Sequence, residues 1–174
     1  MLEIISMTAV AMFAADSLAS RAVRTGSAYS AEGQFARSQV TKVWAGLDSS
    51  VSLQAPHAAL FDELEALVVE HSTPGWDGQE APSISFITAL NAREFIKALP
   101  SSISSPELAV DPDDAAISFE WHGGFRKVFS VSIGVSGRLA CAGLNGTDRW
   151  HGALAFNGER LPALVLEGIR LTAT

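Results

Sequence analysis

Four histidines, one cysteine and nineteen acidic residues are the groups that could do chemistry in this chain of 174 residues. His122 and His151, with Glu120 or Asp148 close by in sequence, could make a two-histidine, one-carboxylate metal site if their strands brought them together. The same groups could serve a small hydrolase, with an imidazole as base and a carboxylate to orient it. Spacing gives this no local support, because the chain has no HxxxH and no Cys/His pair. His57 and His71 lie at opposite ends of one helical stretch. Cys141, in "RLACAG", has no neighbouring base or cation and reads as a small buried hydrophobe. "GVSG" and "GLNGTD" lack the lysine and helix start of a phosphate loop, and there is no G-x-S-x-G elbow. Asp62-Glu63 and Asp113-Asp114 read as a solvated helix face and a turn. A glycosidase-like pair would need carboxylates converging from distant positions. The chemistry favours a non-catalytic role, with no cofactor and no metal expected.

The stretch "HSTPGWDGQEAPSIS", residues 71–85, crowds turn-formers around a tryptophan. Trp76 has two readings: an exposed ring that anchors a partner, since tryptophan is enriched at interface hot spots, or a ring tucked into the core between helices to hold the loop. The second is favoured. Asp77 would accept backbone N–H bonds within the turn while Gly78 takes the left-handed angle that glycine adopts without penalty.

Charge and composition narrow the partners. Nineteen acids against twelve bases give a net charge of −7, and Arg126-Lys127 is the one adjacent basic pair. Capture of nucleic acid needs clustered cations, so a nucleic-acid role is disfavoured and a basic protein partner suits the charge. Hydrophobic residues make up 48% and charged ones 18%, the composition of a folded core. A single cysteine cannot form an internal disulfide, which fits a reducing cytoplasm. The early apolar run "IISMTAVAMFAA" lacks a positive flank, and Asp16 and Arg21 stop it short of a membrane span. No membrane association is expected.

These residues need elements to position them. Residues 1–72 read as an amino-terminal helical extension. "SAEGQFARSQVTKVWAGL" has helical spacing, and "PHAALFDELEALVVEH" is the clearest helix, with Pro56 in its first turn. Residues 73–174 read as the loop, a helix over "FITALNAREFIKAL" capped by Ser83 or Ser85, a β-meander and a Pro162-started final helix. Strands are predicted at about 107–110, 115–121, 125–133, 138–143 and 149–156. Ile117, Phe119 and Trp121 alternate on one face, as do Phe129, Val131 and Ile133. A three-residue loop, His122-Gly123-Gly124, would align the two rows and set Trp121 against Phe125. The fold class expected is α+β: four to five antiparallel strands, helices on one face, and Ser118, Glu120, Lys127, Ser130 and Ser132 on the other.

Over roughly residues 73–171 the chain resembles small bacterial and phage proteins that share a GWDG loop, a helix and a β-meander. The likeness rests on Gly75-Trp76-Asp77-Gly78, Ala81, Ser85, Glu120-Trp121, Gly123-Gly124, Asn157-Gly158 and Pro162. It implies a recurrent module of mobile or accessory genes and carries no catalytic residues. With the acidic balance it points to a protein that neutralises or regulates another protein, like an antitoxin, an immunity protein or a defence inhibitor of the anti-CRISPR type. Trp76, Asp77, Glu120 and Lys127 are the candidate partner-binding residues. The alternative is the hydrolase assembled around His122, His151 and nearby carboxylates.

Overall fold

A computed structural model describes residues 57–172. The predicted helices before Pro56, Pro56 itself and the early apolar run lie outside the described residues.

Helix α1 (Ala58–Glu70) buries Leu60, Phe61, Leu64 and Val68, the apolar stripe of an amphipathic helix. Helix α2 (Phe86–Ala98) starts at Ser85, whose hydroxyl accepts from the Thr88 amide at 3.0 Å and so satisfies one free donor of the first turn. It ends before Pro100, whose ring disfavours a helical residue ahead of it. Its Ala89, Ala92, Phe95 and Ile96 are all buried.

Five strands follow in an antiparallel meander: β1 (Glu107–Val110), β2 (Ile117–His122), β3 (Lys127–Ile133), β4 (Leu139–Asn145) and β5 (Asp148–Leu154). Spatial order equals chain order. Helix α3 (Ala163–Thr172) then begins beside Pro162, whose carbonyl accepts the Val165 amide at 3.0 Å. The helices share one side of the sheet with the buried residues Ile117, Phe119, Trp121, Phe129, Val131, Ile133, Leu139 and Cys141. Helix α1, read from sequence as part of an extension, contributes Leu60, Phe61, Leu64 and Val68 to this same core.

The apolar rows coincide on one face as the alternation required, but the register differs from the predicted one. Ile117 pairs with Ile133, Phe119 with Val131 and Trp121 with Phe129. The loop still has three residues, since the Gly123 amide bonds to the Lys127 carbonyl; they are Gly124, Phe125 and Arg126. Moving the loop by two residues preserves facing, because side chains alternate with a period of two. It also makes the three rungs of the buried face apolar against apolar, where the predicted register set Phe119 against Lys127. Phe125, expected opposite Trp121, stands instead at the tip and is 92% exposed. The left-handed residue is Arg126, at φ +57°, rather than Gly124. Its cost is offset by paired bonds to the next turn: the Gly146 amide donates to the Arg126 carbonyl and Arg126 Nε donates to the Gly146 carbonyl, both at 2.9 Å.

The core is built around an aromatic row. Phe129 stacks on Trp121 at 6.0 Å between centroids and on Trp150 at 5.4 Å. Between Phe129 and Trp150 in the sheet lies Gly143. A Cβ there would fall 2.4 Å from Trp150 Nε1, so the bare backbone is what lets the indole cross β4. Trp121 Nε1 donates to the Ser104 carbonyl at 2.9 Å, which settles its one buried donor. Phe95 of α2 packs on Phe119 at 4.6 Å.

Candidate functional site

The face of the sheet away from these helices is lined by alternate residues of the strands. Register places Glu107, Glu120, Ser130, Ala142 and His151 in one row across it, and Ala109, Ser118, Ser132, Ala140 and Ala153 in the next. In these two rows the side chains are small apart from the charged and imidazole groups near either edge, so the backbone lies close to the surface there, while the next row carries His122, Val128, Leu144 and Arg149. Ser118 and Ser132 hydroxyls meet at 2.6 Å and cross-link β2 to β3. Among the described residues no helix packs on this face.

One corner carries charge. His122 Nε2 lies 3.4 Å from Glu120 Oε2 and 3.7 Å from Glu107 Oε2. His122 and Glu120 are partly exposed and Glu107 is 75% exposed, so solvent screens the pairing and it adds little stability. Its value lies in the field it presents: two carboxylates and one imidazole on a flat surface. His151 belongs to the same face but stands on β5, three strands from β2. At about 4.8 Å per strand the separation is on the order of 14 Å or more. The structure therefore joins His122 to Glu107 and Glu120 and does not join it to His151. Among the described residues no group of three His, Cys, Asp or Glu is arranged to hold a metal ion.

Lys127 occupies the other side. It alternates with Phe129 along β3, so it is on the helix-packed face at the strand end, where it is half-buried. From sequence it is expected with Glu120 among the polar positions of the outer face; strand alternation puts the two on opposite faces. Neither residue shares a surface patch with the other.

The GWDG loop folds on itself. Asp77 Oδ1 accepts the Gln79 amide at 2.8 Å and the Ala81 amide at 3.3 Å, and Gly78 takes φ +84°, as the turn chemistry predicted. The Trp76 ring is half-buried and stands outside the main core cluster, contrary to the expected plug between helices. Trp76 Nε1 donates to the Pro82 carbonyl at 2.8 Å, and the ring meets the His71 ring edge-on at 4.3 Å. His71 is held in turn by Nδ1, which donates to the Leu67 carbonyl at 2.7 Å. The tryptophan thus pins its own loop to the carboxyl end of α1. Both Trp76 and Asp77 are engaged locally.

Cys141 is buried on the inner face, and burial pushes its thiol up from an ordinary 9.0 to about 11. It is protonated at neutral pH and has no nucleophilic character there. A small cavity beside Phe129, Gly143, Trp150 and Gly168 has a free volume of about 10 Å³, close to the space of one water.

Three residues make contacts that the sequence does not announce. Asn91 Nδ2 donates to the Gly134 carbonyl at 2.9 Å and ties α2 to the β3–β4 turn. Arg93 is a buried cation in α2 whose guanidinium lies 5.1 Å from the Phe61 ring centroid. Trp150 completes the aromatic row. A lone Arg or Asn inside an amphipathic helix gives no signal of such contacts, although Gly143 amid a strand marks a place where another group approaches closely.

No helix among the described residues is long and apolar enough to cross a membrane. The chain matches no protein-family model, no curated protein and no solved structure.

Proposed function

We propose that this chain is a non-catalytic protein-binding module that covers a surface of another protein, in the manner of an antitoxin, an immunity protein or an inhibitor of a host defence. The observation that carries the reading is the outer face of the sheet. The small side chains of its two middle rows allow a partner to approach the backbone closely, and its Glu107–Glu120–His122 corner favours a basic surface. The net charge of −7 steers the same class of partner from a distance. A reducing cytoplasm suits the free thiol of Cys141.

The test is affinity purification of the full chain from the cells that encode it, beside the double variant Glu107→Lys, Glu120→Lys. The reading expects one stoichiometric protein of basic character that is lost from the variant and released by salt. A partner retained equally by the variant, or no stoichiometric partner at low salt, would overturn it.

A further inference from the structure

The two edges of the sheet are built differently. Strand β1 has four residues, begins after Pro106 and is followed by Asp111-Pro112. Short length and flanking prolines are devices that keep an edge from pairing. Strand β5 has seven residues, contains no proline, and most of it is exposed, including Gly152.

Its free hydrogen-bonding groups can be assigned. Asn145 pairs with Asp148 across the two-residue loop Gly146-Thr147, with Gly146 at φ +64°. The closing pair of such a hairpin exchanges both its backbone bonds. Alternation then turns the N–H and C=O of Arg149, His151 and Ala153 away from β4, where no strand among the described residues pairs with them.

The side chains along this edge are symmetric about Gly152. Trp150 and Leu154, both half-buried and on the helix side, lie two residues to either side of it. His151 and Ala153 flank it on the outer side. A second β5 laid antiparallel about a two-fold axis through Gly152 would set Trp150 opposite Leu154 of the other copy in register, twice, with each indole staying over Gly143 of its own sheet. His151 would meet Ala153, also twice, with the outward N–H and C=O groups of those residues in bonding register. No like charges fall directly opposite one another. A Cβ at Gly152 meets nothing within 4 Å, so the axis passes through open space.

From this we infer that β5 is a self-association edge: two copies of the chain pair through β5 about a two-fold axis at Gly152 to form one continuous ten-stranded sheet. This goes beyond the binding role of the outer face, which the pairing leaves open and doubles. A single strand pair is a small interface, so association is weak and concentration-dependent.

The test is a cross-link at the axis. Directly opposed, non-bonded positions of an antiparallel pair have Cα atoms about 4.5 Å apart, within disulfide range. Full-length Gly152→Cys is expected to oxidise to a covalent dimer of twice the monomer mass. Ala153→Cys, whose own counterpart lies diagonally across, should link far more slowly. Sedimentation of the unmodified chain from micromolar to millimolar concentration should show a twofold rise in mass. Ala153→Pro should abolish that rise with the circular dichroism unchanged, since it removes only an outward N–H. Equal cross-linking of the two cysteine variants would overturn the inference. So would a monomer throughout the concentration range, including one whose β5 amides resist hydrogen exchange because another part of the chain covers them.

Discussion

Gly168→Ala sets two effects of opposite sign against each other. Gly168 lies within α3, where alanine is the better helix former by about 1 kcal/mol. On propensity alone the substitution stabilises. The structure reverses the sign. The new Cβ would fall 2.5 Å from Phe129 Cε2 and 2.7 Å from both Cδ2 and Cζ. Carbon atoms in contact prefer about 3.5–4.0 Å, so the overlap is about 1 Å with three ring atoms at once. Phe129 is 1% exposed and stacked between Trp121 and Trp150, and the cavity beside it, at about 10 Å³, is too small to take a displaced ring. Overpacking of this kind costs about 3 kcal/mol, the upper part of its usual range. After the helical gain the net loss is about 2 kcal/mol, or roughly 4–8 °C in Tm for a chain of this size. Thermal and urea melts followed by circular dichroism measure it. The same substitution in a Phe129→Leu background should be neutral or stabilising, because the ring it strikes is gone. An unchanged or higher Tm for Gly168→Ala alone, or an equal loss in both backgrounds, would refute the packing of α3 on Phe129.

Three other outcomes follow from contacts described above. The Cys141 thiol has its folded pKa raised, so it contributes stability below about pH 9 that is lost as pH rises through about 11. The stability difference between the unmodified chain and Cys141→Ala should therefore narrow by up to about 3 kcal/mol over that window, read by urea titration at several pH values. Asp77→Ala strips the Gln79 and Ala81 amides of their acceptor and should cost about 1 kcal/mol, with Asp77→Asn retaining most of it. Ser85→Ala removes the cap of α2 and should lower stability by about 1 kcal/mol in the same melts, with Ser85→Asp close to neutral.

Most of the sheet was legible because the hydrophobic alternation is strong. Ile117-Phe119-Trp121 and Phe129-Val131-Ile133 name the buried face without any tertiary knowledge, and the strands lie where the turn residues bound them. The hairpin register was half legible. Parity fixed which residues share a face, but the tip depended on Arg126 accepting a left-handed angle, which its bonds to Gly146 make tolerable. No rule about Gly-Gly pairs foresees that. Lys127 illustrates a different loss: a charged residue at the end of a strand can stand on the apolar side because its stem packs while its ammonium reaches water. The separation of His122 from His151 follows from strand order, which spacing along the chain does not contain. Trp76 was misjudged because hydrophobic bulk argues for the core, while a nearby carbonyl at Pro82 and the His71 ring offered it a local seat.

The seat of α3 over Phe129 has a consequence for how the chain matures. Every strand is synthesised before that helix, and the notch at Gly168 is the lid of the central ring. A nascent chain that has completed its meander but not yet released Val165 and Ile169 from the ribosome displays a greasy, half-clad platform. Ribosome pausing upstream of Ala163 would prolong that vulnerable interval, and chaperones that favour aromatic surfaces would meet the molecule then.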